Sequence, residues 1–160
     1  MSDPATISNA PFPPDSIEAF LRFCDGEWMS LRSRFLLGAN SEGEAGNEWH
    51  NSERGELVVH YIEGSPGGLR VSLKDQPSRE LLFDQNGSFA VAGQQQGRWS
   101  LWPDGSLELV SECDGSELRE RIWFNKPNLR LRSTIEQPRD GLPGRASFSS
   151  EIRRVSRPAA

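Results

Sequence analysis

Apolar and polar residues alternate along most of this chain with a period of two, and the alternation is sharpest between Glu117 and Glu136. There Glu120, Ile122 and Phe124 fall on one side of a predicted strand, with Arg121 and Trp123 on the other. A turn is predicted at Asn125, Lys126 and Pro127. Beyond it, Arg130, Arg132 and Thr134 share one face of a second strand, and Leu129, Leu131 and Ile135 share the opposite one. Successive side chains of a strand point to opposite faces, so one face carries arginines and the other leucines. By alternation alone, the arginine face either meets water or lines the inside of a barrel.

The same period recurs along the chain. GEWMSLRSRFLL places Trp28, Ser30, Arg32 and Arg34 together, with Met29, Leu31, Phe35 and Leu37 nearer the other face. Further strands are predicted at ELVVHYIE, LRVSLK, ELLFD, SFAVAG, GRWSLW and SLELVSE, and a last one at ASFSSEIRRV. Turn-forming clusters separate them: Gly64 to Gly68, Asp75 to Ser78, Gln85-Asn86-Gly87, Pro103-Asp104-Gly105 and Asp114-Gly115. Glycine there supplies the positive φ that tight hairpins need. One segment reads as helix: Asp15 and Ser16 offer an N-cap, Ile17, Phe20, Leu21 and Cys24 recur at helical spacing, and Gly26 stops it. About ten strands joined by hairpins, after one helix, predict an all-β fold, an antiparallel up-and-down barrel that hides its edges by closing. A barrel of that size encloses one small ligand.

Composition narrows the reading. A chain of 160 residues is expected to form one domain with a proper core, here over residues 15–156. Residues 1–14 hold four of the eleven prolines and read as a flexible leader, and 157–160 as a tail. The net charge of -5 argues against a general nucleic-acid binder, which would carry a basic excess. No run of about 18 apolar residues predicts a membrane span, and the polar, proline-rich start does not resemble a signal peptide. Two cysteines, Cys24 and Cys113, cannot build a dense disulfide framework, which suits a reducing cytoplasm. Cys24 reads as a small buried hydrophobe on the helix.

Few residues advertise chemistry. His50 and His60 are ten positions apart and neither cysteine sits in a CxxC, so no metal site is expected. No nucleophile elbow, phosphate loop or dinucleotide fingerprint occurs. The arginine faces are different. Arg130 and Arg132 share one strand face, Arg32 and Arg34 another. Turned inward, they would need carboxylates, because an unpaired guanidinium is too costly to bury. Glu120 on the neighbouring strand supplies one, and a ligand bearing carboxylates would match the arginine forks bidentately. Turned outward, the same residues are ordinary solvent-facing charges.

The run Glu120-Arg121-Ile122-Trp123-Phe124, then two residues, then Pro127-Asn128-Leu129-Arg130-Leu131-Arg132, resembles the signature of the S-type (CpcS/CpeS) phycobiliprotein lyases. The opening, a helix followed by Gly26-Glu27-Trp28-Met29-Ser30-Leu31-Arg32, is similar to that family's as well, and the resemblance spans about residues 16 to 155. It implies a ten-stranded lipocalin-type barrel with a helix at one mouth. It also implies an enzyme, a lyase that binds an open-chain tetrapyrrole (phycoerythrobilin or phycocyanobilin) and joins it by a thioether to a cysteine of a phycobiliprotein subunit. The bilin would be a substrate, with no permanently bound cofactor. Partners would be a phycobiliprotein α or β subunit, and either a second copy of the chain or a related lyase subunit. The setting would be a cyanobacterial cytoplasm or an equivalent plastid stroma.

By the family pattern the bilin-binding residues are Arg32, Glu120, Arg130, Arg132 and Thr134, of which Glu120 and Arg130 would be catalytic. Arg32 and Arg132 would pair the propionates, Glu120 would face the pyrrole N–H groups, and Arg130 would hold Glu120 ionised. Trp99 is a candidate for stacking on the rings. The chain departs from the family at Phe35, where a histidine is common, and in LRVSLKD, which lacks an expected tryptophan. Two other readings compete: a non-catalytic carrier of bilin or another carboxylated lipophile, and a β-domain that only mediates protein contacts. The last predicts that Arg132→Ala leaves ligand binding untouched.

Overall fold

The computed structural model describes residues 11–37, 52–91 and 95–155. A short helix, α1 (Ile17–Phe23), precedes ten strands: β1 (Gly26–Leu36), β2 (Ser52–Ile62), β3 (Pro66–Leu73), β4 (Arg79–Asp84) and β5 (Ser88–Val91), then β6 (Gln95–Leu101), β7 (Leu107–Cys113), β8 (Ser116–Lys126), β9 (Leu129–Pro138) and β10 (Arg145–Arg153). Each pairs antiparallel with its sequence neighbour, and β1 pairs with β10, which closes the barrel. Closure satisfies the ladder on both sides of every strand and leaves no open edge. The expected all-β up-and-down barrel with an N-terminal helix is the observed fold.

Ser16 caps α1 as its side chain implies, its Oγ accepting from Ala19 N at 3.1 Å. The helix seals one end of the barrel. Phe20 and Phe23 both pack edge-on against Phe124, at centroid distances of 5.2 and 4.9 Å. Cys24 is buried as expected, and its carbonyl accepts from Trp28 Nε1 at 2.9 Å. Arg153 latches the helix end to β10, donating to the carbonyls of Phe23 and Asp25 while lying over the Trp28 ring. Of the residues read as leader, 1–10 lie outside the described residues. Phe12 and Pro14 are described and packed: Phe12 meets Phe23 at 5.8 Å and Pro14 is buried.

Two turn expectations shift. The Gly64–Gly68 cluster is not all turn, because β3 begins at Pro66. Gly67 takes a φ of +113° beside Tyr61 Oη, and a Cβ on Gly68 would collide with the Leu81 carbonyl. Those two glycines serve close strand approach rather than chain reversal. The β8–β9 turn falls at Pro127 and Asn128, after a register shift between Phe124 and Lys126. His60 is an exposed β2 residue, and His50 lies outside the described residues.

The interior is divided lengthwise. Strands β2 to β5, β7 and β8 contribute Leu57, Val59, Leu69, Leu81, Phe83, Phe89, Leu107, Leu109, Ile122 and Phe124 to an apolar core. Strands β9, β10 and β1 send arginine, serine, threonine and glutamate to the same interior, so the charged wall faces an apolar one.

Candidate functional site

The strand register stacks the charged wall in layers. Deepest, next to Trp28, is the row Ser30, Glu151, Arg130 and Phe124. Above it come Arg32, Ser149, Arg132 and Ile122, then Arg34, Ser147, Thr134 and Glu120. Leu36, Arg145, Glu136 and Leu118 form the rim at the open end. Alternation on three adjacent strands, kept in register, brings each arginine to a fixed depth.

In the deep rows every charge but one has a counter-ion among the described residues. Arg130 Nε donates to Glu151 Oε1 at 2.8 Å, and the two side chains are 2% and 3% exposed. Arg132 Nη2 reaches the same Glu151 oxygen at 3.4 Å, and its Nη1 lies 3.8 Å from Glu120 Oε2. Burial would push the Glu151 carboxyl up, but Arg132 and Arg130 outweigh it and hold it below the usual carboxylate range. Burial likewise disfavours the Arg130 cation, and Glu151 more than reverses this. Arg130 also lies 4.9 Å from the Trp28 ring centroid, a cation–π seat.

Arg32 is the exception. Its only side-chain hydrogen bond among the described residues is from Nε to Ser149 Oγ, at 3.3 Å. Burial lowers its pKa, and the Arg132 and Arg34 cations lower it further. Three deep guanidinium groups (Arg32, Arg130, Arg132) face two carboxylates (Glu120, Glu151), so this wall carries one excess positive charge. Arg32 opens onto a cavity of about 370 Å³ at the unsealed end, also lined by Arg34, Phe35, Leu118, Thr134 and Arg145. A second, separate space of about 30 Å³ lies nearer the helix, lined by Glu120, Arg130 and Arg132 together with Phe20 and Cys24. Arg130 Nη2 and Arg132 Nε are buried donors without an acceptor among the described residues. The wide cavity is a partly apolar, arginine-lined mouth, suited to a ligand bearing carboxylates.

Residues 48–154 match the model of the CpeS-like protein family. The chain belongs to that family. It is 42% identical over 150 residues to chromophore lyase CpcS/CpeS 1 of Paulinella chromatophora, covering 91% of this chain and 92% of that one. It is 44% identical to chromophore lyase CpcS/CpeS 1 of Trichodesmium erythraeum, covering 85% of this chain and 96% of the relative. Its barrel superposes on the S-type phycobiliprotein lyase CPES of Guillardia theta with a TM-score of 0.65 and 22% identity, over 89% of this chain and 95% of the other. That likeness is one of fold.

All five residues singled out in this CpeS-like sequence lie on the barrel's inner wall, and their arrangement differs from expectation in one respect. Arg130 does not hold Glu120. In the β8–β9 register it stands opposite Phe124, whereas Glu120 stands opposite Thr134, two residues nearer the opening. The partner of Arg130 is Glu151, which the sequence reading passed over. Its signal was present: in ASFSSEIRRV, Glu151 alternates with Ser149 and Ser147, a polar face expected to meet water unless a neighbouring arginine face is buried. Trp99 sits toward the sealed end, its Nε1 donating to the Asp84 carbonyl at 2.7 Å, away from the wide cavity. Arg34 lies at the outer part of the wall, paired with Glu53 at 3.1 Å and half exposed.

Proposed function

We propose that this protein is a phycobiliprotein chromophore lyase: it binds an open-chain tetrapyrrole in the barrel and delivers it to a cysteine of a phycobiliprotein subunit. The observation that carries the reading is Arg32, a part-buried cation without a carboxylate partner among the described residues, above a buried Arg130–Glu151–Arg132 cluster, in a cavity open at one end. Membership of a family whose curated relatives are chromophore lyases supports it.

A bilin is an apolar conjugated strip with two propionates and a row of pyrrole nitrogens. Arg32 takes a propionate, replacing a weak serine contact by a charge-assisted pair in a partly desolvated site. Arg132 is already shared between two carboxylates, so its contribution is to set the field around Glu120, with Nε left to donate to a ligand oxygen. Glu120 accepts from pyrrole N–H groups and favours the protonated chromophore. Thr134, its cross-strand neighbour, adds a hydroxyl at the same depth. Arg130 and Glu151 hold Arg132 in place from below.

The protonated bilin is the better electrophile. The acceptor's thiolate attacks the exocyclic vinylic carbon of ring A, forming the C–S bond, and the adjacent carbon takes up a proton. The nucleophile belongs to the acceptor, so buried Cys24, whose thiol pKa burial raises, has no part in the bond-forming step. Catalysis is then positioning and electrostatics. Either phycoerythrobilin or phycocyanobilin offers these groups.

Mixing the purified protein with each bilin and recording the visible spectrum tests binding; a sharpened, red-shifted band is expected, and an unchanged spectrum refutes it. Adding an acceptor subunit separates lyase from carrier. A lyase yields a covalent, denaturant-resistant fluorescent adduct faster and more uniformly than bilin and subunit alone, whereas a carrier does not.

A further inference from the structure

Arg79 is an inward cation that stands apart from the charged wall. Alternation along β4 turns Arg79, Leu81 and Phe83 inward and Glu80, Leu82 and Asp84 outward. Leu81 and Phe83 join the apolar core, and Arg79 continues the same face toward the opening. It lines the inner space together with Glu120, Arg130 and Arg132. In the closed ring of strands β4 lies five strands from β9 in either direction, so Arg79 faces Arg130 and Arg132 from across the lumen.

Among the described residues the Arg79 side chain has no ion pair and no hydrogen bond. Its inward neighbours are Leu81 along the strand and Val71 opposite it on β3. Glu80, next to it in sequence, is turned outward and holds Arg70 at 2.8 Å. Glu120 shares the inner space but is turned to Arg132, 3.8 Å from its Nη1. The shape of the barrel keeps Arg79 within reach of a ligand. β3, β4 and β5 have 8, 6 and 4 residues, against 11 in β1 and 10 in β9, so the wall is lowest on this side. Arg79 begins β4 at the open end and stands on that low lip, exposed to solvent and facing the charged wall.

We infer that Arg79 is a second carboxylate anchor of the site, taking the propionate that Arg32 leaves free. This rests on the bilin reading above. Arg32 on β1 and Arg79 on β4 are cations on separate walls, each without a carboxylate partner among the described residues. The planar fork of each arginine matches a carboxylate bidentately. A ligand with one carboxylate satisfies one of them; a ligand with two is fixed at both points and cannot turn over. Held at both, the chromophore lies across the lumen from β1 to β4, and its pyrrole nitrogens meet Glu120 in one orientation. Arg79 thus selects dicarboxylates and sets how they lie.

Absorbance titration with phycocyanobilin, its two monomethyl esters and its dimethyl ester tests this, with far-UV circular dichroism as the check of fold. Arg79→Gln should weaken binding of the diacid on the order of tenfold, the loss of one charge-assisted contact. One monoester should be indifferent to Arg79→Gln yet still weakened by Arg32→Ala, the other the reverse, and the dimethyl ester indifferent to both. Leu82→Lys, exposed on the outer face of the same strand, should bind the diacid as the wild type does. A diacid affinity unchanged by Arg79→Gln overturns the inference and leaves Arg79 a solvated arginine of the lip. So does a loss that persists in full with the dimethyl ester, or one abolished by the same monoester that abolishes the Arg32→Ala loss. Those outcomes leave the lyase reading intact, whereas a wild type that binds neither diacid nor esters overturns both.

Discussion

Glu151 decides the behaviour of the deep site at the level of single residues. It pairs with Arg130 at 2.8 Å and shares Arg132 with Glu120, at 3.4 and 3.8 Å respectively. Glu151→Gln keeps the shape but leaves two guanidinium groups under-compensated, so a loss of about 3–5 kcal/mol is expected in urea unfolding. The pH dependence follows from the same pair. Its folded-state pKa lies below the unfolded value, so the stability it contributes is full above the ordinary carboxylate range. That contribution is lost as pH falls through the lowered pKa. Acid titration of stability should therefore be steeper in the wild type than in Glu151→Gln. Arg32 is the converse case. It has no carboxylate partner to abandon among the described residues, so Arg32→Ala should change stability by less than about 1 kcal/mol. Bilin affinity, read by absorbance titration, should fall on the order of tenfold or more, the loss of one charge-assisted contact.

Among the elements, α1 matters most. At 7 residues it is too short to be stable alone, and what holds it is the Ser16 cap, the Phe20 and Phe23 contacts with Phe124, and the Arg153 latch. Arg153→Ala removes donors to two carbonyls at the helix end together with the cation over Trp28. Hydrogen exchange should then rise in residues 17–24 well before it rises in β8 to β10. If the strands exchange in step with the helix, the latch is not a local one. Because Arg153 and Arg130 lie over the same indole, loosening α1 should also weaken bilin binding modestly.

For the whole molecule, a ligand that binds only the folded barrel stabilises it by mass action. At a hundred times its dissociation constant, bilin should add about 2.7 kcal/mol, read as a higher thermal midpoint. Arg32→Ala at the same bilin concentration should show a smaller rise, and Leu82→Lys an unchanged one. A midpoint indifferent to bilin in the wild type would place the chromophore outside the barrel.

Much of this was legible in the chain itself. Period-two alternation, hairpin glycines and the capped N-terminal segment determined ten antiparallel strands, one helix and the barrel class, because these depend on local geometry that each segment carries alone. Alternation also determined that Arg32 and Arg34, and Arg130 and Arg132, lie in pairs on common faces. Which way those faces point was a tertiary decision. Closure of β1 onto β10 turns the leucines and methionine outward and buries the arginines, because Glu151, more than a hundred residues after Arg32, arrives beside them. That closure also set who holds whom: register places Arg130 opposite Phe124 rather than Glu120. Strand pairing across a closed barrel is a property of the whole sheet, and no single strand encodes it. The arginine face first read along the sequence is thus the lining of a pocket, and only the assembled barrel could make it one.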